Sequence, residues 1–279
     1  IIYTALMYKG LRIFFKWVVI VFAVIGFVFV SGYIAMKLGL TKTIGVVDTQ
    51  TSTFIEQKGR VVYAPFPLAH TPEWIAFRQA IVKDKDVIEK VSKVTGISPR
   101  LLIAILVPEQ MRLFHSNRPL FKKVFEPLKL LGNQSQFSWG LFGIKDGTAR
   151  AVESHLLDAT SPYYLGPASE HALDFVTNDH NQERFERIVN EQDHTYSYLY
   201  AALFVSQINS QWKKAGFPID TNTAVQATLW NLGFDKSSPK MNPASGGAEI
   251  DIEGTIYSFG ALAQAFYDSD ELIELFPKQ

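Results

Sequence analysis

The sequence predicts a mainly helical protein in which one N-terminal transmembrane helix precedes an α+β globular domain with a small β-hairpin. Three observations lead there. Residues 17–36 carry no charge and are dominated by Val, Ile and Phe. From Thr71 onward, apolar residues recur at helical spacing between Pro, Gly, Ser, Thr, Asp and Asn signals that start and stop helices. Near the C-terminus, Glu253-Gly254 sits inside a short Ile- and Tyr-bearing run, the pattern of a tight hairpin. The chain accordingly divides into an N-terminal segment (1–40), an extended spacer (41–71) and a globular domain (72–279).

The apolar run matches the roughly 20 residues that a helix needs to cross the bilayer core. Lys9, Arg12 and Lys16 precede it and only Lys37 and Lys42 follow closely, a basic bias that places the N-terminus in the cytoplasm and the domain outside it. The expectation is a single-pass inner-membrane protein with a periplasmic domain. A cleaved signal peptide is the alternative, but the run exceeds a usual signal core and no small-x-small cleavage site follows.

In the spacer, Ala64-Pro65-Phe66-Pro67 breaks regular structure and no chemistry is assigned. Thr71 then caps a helix with Pro72 in its first turn and Trp74, Phe77 and Ile81 on one face. Val87, Ile88, Val91 and Val94 form a second, stopped at Gly96. A third starts near Pro99 behind Ser98, and Leu102, Ile105, Leu106, Glu109 and Leu113 fall along one of its faces. Glu109 therefore points where the apolar residues point. A carboxylate on a core-facing stripe is disfavoured as an anion, which raises its pKa and suits a general acid. The competing reading is an ion pair with Arg112 at i+3, which would lower it again. Pro108 lacks the N–H that the Ala104 carbonyl would accept, so a kink or an end is expected close to the carboxylate.

Residues 118–132 read as a basic, aromatic connector carrying Glu126, a solvated surface. In Ser138-Trp139-Gly140-Leu141-Phe142-Gly143-Ile144, two glycines three apart among large apolar side chains imply a backbone pressed close to another segment or to a ligand. A helix starts near Thr148, and residues 158–181 look loop-like. A long helix spans about 196–215, ended by Gly216. Asp220-Thr221-Asn222 caps another that runs to Trp230-Asn231-Leu232-Gly233. The hairpin follows, then two terminal helices over 259–267 and 269–276.

Composition narrows the function. Lys+Arg and Asp+Glu both number 27 in 279 residues, so no net field draws the chain to nucleic acid. Hydrophobic residues make up 47%, enough for a substantial core. The absence of Cys removes disulfides, thiolate metal sites and Cys nucleophiles. His70, His115, His155, His171, His180 and His194 form no i,i+4 pair, and no metal or other cofactor is expected. No phosphate-binding loop, dinucleotide fingerprint or nucleophile elbow is present.

Three pieces, in order, resemble the lysozyme-like lytic transglycosylases that cleave peptidoglycan. The run Thr95-Gly96-Ile97-Ser98-Pro99-Arg100-Leu101-Leu102 leading to Glu109 resembles that family's helix ending in its catalytic Glu. Ser138-Trp139-Gly140-Leu141-Phe142-Gly143-Ile144 looks like its Gly-Leu-Met-Gln-Ile block. Leu229-Trp230-Asn231-Leu232-Gly233 is similar to its Ala-Tyr-Asn-Ala-Gly block. The likeness covers about residues 86–235, with 112–137 as an insertion. Gln110 stands where the family usually has Ser, Gly143 where it has Gln, and Trp230 where it has Tyr.

The resemblance implies a lysozyme-like fold and a substrate of β-1,4-linked N-acetylmuramic acid and N-acetylglucosamine. Glu109 would protonate the glycosidic oxygen, aided by the substrate acetamide, and then as a base accept the C6 hydroxyl proton to close a 1,6-anhydro ring. Ser138, Gly140, Phe142, Trp230, Asn231 and Tyr257 are the substrate-binding candidates, with packing or loop capping the competing role for each. Partners implied are glycan strands, the bilayer and a membrane protein complex. The three replaced positions favour an alternative, an inactive scaffold that keeps the shape to bind glycan or that complex.

Overall fold

The computed structural model describes residues 66–112 and 139–278, the backbone alone of 113–115, and residues 16–18, 20, 22, 23, 26, 27, 30 and 31. The chain divides into two units, 1–50 and 51–279. In the first, the described residues are helical, with Trp17, Ile20, Phe22, Phe27 and Val30 exposed. Most of the apolar run 17–36 lies outside the described residues, and among those described no single helix is long and apolar enough to cross a membrane.

The second unit is mainly helical: α1 (Pro72–Lys83), α2 (Lys85–Thr95), α3 (Pro99–His115), α4 (Asp146–Leu157), α5 (His180–Val189), α6 (Thr195–Lys214), α7 (Thr223–Leu232), a hairpin of β1 (Glu249–Ile252) and β2 (Thr255–Ser258), and α8 (Phe259–Asp268). Short 3-10 turns lie at Pro167–Ser169 and Phe234–Lys236. The capping signals act as read. The Thr71 hydroxyl accepts from the Trp74 N–H at 3.2 Å, Gly96 ends α2 at φ 73°, and Asn222 accepts from the Val225 N–H at 3.0 Å. Glu253 and Gly254 turn the hairpin with φ 51° and 83°, the positive pair that a two-residue turn demands. Ile250 opposes Tyr257 across the ladder.

Helix α3 is the axis of the domain. Residues 101–109 and Met111 are buried on every side of it, because α1, α2, α6, α7, α8 and β1 all pack against it. It is a core helix rather than an amphipathic one. Of the kink or end expected at Pro108, the end does not occur; the helix passes through Pro108 and runs on to His115. The missing hydrogen bond costs about 3 kcal/mol in an isolated helix, and burial on all faces offsets it.

Three further expectations change. The spacer's last residues belong to the core: Phe66 packs on Trp74 and Phe266 with ring centroids 4.7 and 5.8 Å away, and Leu68 is fully buried. Residues 180–189 form α5, which begins inside the stretch 158–181 read as loop-like and continues through residues given no element. Residues 269–276 form turns rather than a helix. Arg100, fully buried at the start of α3, takes the carbonyls of Phe266, Tyr267, Ser269, Glu271 and Phe276 at 2.6 to 3.0 Å, and a helix there would have used those carbonyls itself.

Candidate functional site

Glu109 lies on the third turn of α3, 3% exposed. Spacing predicted the burial, and the competing prediction of a cation holds as well: Arg112 Nη2 donates to Glu109 Oε1 at 2.7 Å. Arg112 Nε is buried and has no acceptor among the described residues.

The neighbouring Gln110 Nε2 donates to the carbonyl of Leu141, which ties α3 to the turn 139–144. That turn is closed by reciprocal hydrogen bonds between Trp139 and Ile144, 2.7 and 2.9 Å long. It crosses α6 closely: the Leu141 N–H donates to Ser197 Oγ at 3.1 Å. Gly140, at φ 65°, leaves no room for a side chain, since a Cβ there would sit 2.4 Å from the Ile188 carbonyl. The close approach expected of this glycine is to α5, an element of the same chain.

Phe142 is buried and meets Tyr198 and Trp230 edge to face, ring centroids 5.3 and 5.7 Å away. Trp230, half-buried, also meets Phe204 at 5.0 Å. Both rings fill the core between the turn, α6 and α7, which is the packing role weighed above. Asn231 Oδ1 accepts from the Ala248 N–H at 2.8 Å, fixing the strap 246–248 below the hairpin. Tyr257, half-buried on β2, stands on the hairpin whose β1 strand packs on α3. Ser138 and Glu126 lie outside the described residues.

The structure thus brings the Glu109 helix, the 139–144 turn and the Trp230-Asn231 segment together. It also supplies groups that the sequence reading missed. Tyr198, at the back of Phe142, donates to Asp84 Oδ2 at 3.0 Å, and His194 Nδ1 lies 2.7 Å from the same oxygen. Burial, then the Asp84 charge, pushes the Tyr198 phenol well above its usual range, so it stays a donor. No local pattern links Asp84 to a helix 110 residues on. A second cluster joins α4, α5 and α6, where the buried Arg184 donates twice to Glu153, both at 2.6 Å, and Tyr200 donates to the same carboxylate at 2.5 Å.

Among the described residues no three His, Asp or Glu side chains converge so as to hold a metal ion. An open surface hollow of about 490 Å³, lined by Asp86, Glu89, Lys90, Lys93 and Val94, lies on α2 and includes none of the predicted residues. Comparison of the chain with protein-family models, with curated proteins and with solved structures finds no match.

Proposed function

We propose that the second unit is a lysozyme-like lytic transglycosylase domain that cleaves the bond between N-acetylmuramic acid and N-acetylglucosamine in peptidoglycan, held at the inner membrane by a helix over residues 17–36. One observation carries this reading. The buried carboxylate of Glu109 lies on the helix that holds the 139–144 turn through Gln110, and that turn reaches the Trp230 ring through Phe142. These are the three segments on which the resemblance rests, far apart in sequence and adjacent in space.

In this mechanism Glu109 passes one proton each way. As an acid it protonates the glycosidic oxygen while the C1–O bond breaks, and the substrate acetamide stabilises the oxocarbenium-like centre. As a base it accepts the C6 hydroxyl proton while that oxygen closes on C1. Arg112 holds one Glu109 oxygen, so that bond must be given up and the carboxyl protonated before the first step.

The same pair supports a second reading, an inactive scaffold that binds glycan or a membrane complex: a carboxylate held by a guanidinium is a common structural feature. Digestion of purified peptidoglycan with the detergent-solubilised full chain and with Glu109→Gln separates the two. The enzyme reading expects 1,6-anhydro products that fall by about two to four orders of magnitude in the variant. Co-sedimentation with peptidoglycan and no product from either protein leaves the scaffold. A result with neither product nor binding sinks the enzyme and the glycan-binding scaffold, leaving a scaffold whose partner is a membrane complex.

A further inference from the structure

Asp84 and His194 hold the capping positions of α2 and α6, and neither side chain caps its own helix. An Asp at such a position normally accepts an N–H two or three residues on. Here the carboxylate turns the other way, and the two capping residues bond each other. His194 Nδ1 lies 2.7 Å from Asp84 Oδ2, and the Tyr198 hydroxyl donates to the same oxygen at 3.0 Å. A carboxylate only accepts, so Nδ1 is the donor. The brace is largely withdrawn from water, with the Asp84 side chain 14% exposed, that of His194 27%, and Tyr198 fully buried. The first N–H of α6 is met instead by Asp193, at 2.9 Å.

The braced turn of α6 is also the one that meets residues 139–144. Ser197 Oγ accepts from the Leu141 N–H at 3.1 Å, and the Tyr198 ring meets Phe142. The Leu141 carbonyl is taken from the other side by Gln110, the residue after Glu109. Leu141 is therefore held at its N–H by α6 and at its carbonyl by α3, so a shift in the first turn of α6 moves it relative to Glu109. We infer that Asp84 is a positioning residue for this site: it fixes the first turn of α6 through His194 and Tyr198, and that turn seats residues 139–144 against the Glu109 helix. The catalytic consequence rests on the glycan reading above. A carboxylate acting in this way is felt in the reacting geometry rather than in substrate affinity.

The test follows the full chain in detergent by amide exchange and by turnover of soluble glycan strands. Asp84→Asn keeps the shape but offers the two donors a neutral oxygen, and Tyr198→Phe removes one bond while keeping the ring on Phe142. Each should quicken exchange in residues 139–144 about tenfold, with residues 223–228 of α7 at wild-type rates. Each should also lower kcat about tenfold and keep KM within about twofold. Because the connection runs through Ser197, adding Ser197→Ala to Asp84→Asn should move neither quantity beyond the larger single effect. A merely structural Asp84 gives equal quickening in both segments, or effects that multiply with Ser197→Ala. Either result, or no change at 139–144, overturns the inference alone, since wild-type product still supports the enzyme. Wild type without product sinks the enzyme reading, and exchange by itself then decides whether Asp84 holds the turn. Should Asp84→Asn fail to fold, Tyr198→Phe with Ser197→Ala completes the same cycle.

Discussion

Arg100 Nη2 donates to the carbonyl oxygen of Ser269 at 2.6 Å, across 169 residues of sequence. It is one of five such bonds that the fully buried guanidinium makes to residues 266–276, and the Phe266 ring covers it at 4.8 Å. Burial pulls the Arg100 pKa down, but the backbone oxygens solvate the cation in place of water. The helix that presents Glu109 is thereby fastened at its first turn to the C-terminal segment.

Replacing Arg100 by Met strands several buried carbonyls at once, each worth about 1–3 kcal/mol, so a loss of about 4 kcal/mol or more is expected from urea midpoints. Arg100→Lys keeps the charge with fewer donors and should lose about half as much. Removing residues 269–279 strips three of the five bonds, those to Ser269, Glu271 and Phe276, from the other side. The two losses should therefore be non-additive by about 2 kcal/mol in a double-mutant cycle. An Arg100→Met protein within about 1 kcal/mol of wild type would refute the role.

Gly140 and Gly147 make a matched pair. A Cβ on Gly140 meets the Ile188 carbonyl at 2.4 Å and Ser197 Oγ at 2.8 Å from a backbone at φ 65°, whereas one on Gly147 meets nothing within 4 Å. Gly140→Ala is expected to cost about 2–4 kcal/mol through the clash and the left-handed backbone. Gly147→Ala, in the first turn of α4, should be neutral or stabilising by about 0.5–1 kcal/mol. Thermal melts of both variants check this, and equal melting temperatures would contradict the close approach.

What the sequence made legible was local. Thr71, Gly96 and Asn222 act on hydrogen bonds a few residues away, so the helices they bound could be read directly, as could the Glu253-Gly254 turn. Burial of Glu109 and its pairing with Arg112 also follow from spacing along one helix. Helix α5 was overlooked because its surface is so polar. Asp179, which accepts from the Gln182 N–H at 3.0 Å, and Phe185 and Ile188 at i, i+3 were the signal available. The misreading of 269–276 has a different origin. Its composition suits a helix, and the outcome was decided by Arg100, which no window of nearby residues contains. Likewise, two glycines announced a close approach, but only the fold names Ile188 as the partner.

The Arg184–Glu153 pair tests a second buried charge, this time with a carboxylate partner. Arg184 Nε and Nη2 each lie 2.6 Å from Glu153, and Asn181 Oδ1 takes Nη1 at 3.0 Å. Burial raises the Tyr200 pKa, which keeps its hydroxyl a donor to Glu153. Arg184→Met leaves that carboxylate without its cation and should lose about 3–5 kcal/mol. Adding Glu153→Leu removes the stranded charge and should recover at least half of the loss. A double variant no more stable than Arg184→Met, by denaturant midpoint, would show that the cost came from lost packing alone.

Acid should dismantle a clamp on α5. Desolvation pushes the Glu183 carboxyl up, but the N–H groups of Val176 and Thr177, the Thr177 hydroxyl and Arg187 outweigh it, so its pKa falls from 4.5 to about 2. The folded value is the lower one, so the native state binds fewer protons than the unfolded chain between those two values. The stabilisation is therefore fully present above about pH 4.5 and is lost as pH falls through about 2. In Glu183→Gln that dependence should vanish, leaving a flatter acid limb in melting temperature over the same window. The bonds from Val176 and Thr177 at 2.7 to 3.1 Å also anchor the loop before α5, so amide exchange in residues 176–179 should quicken in wild type as pH drops, after correction for intrinsic rates. If the variant and wild type keep parallel acid limbs, the loop is held by something other than this carboxylate.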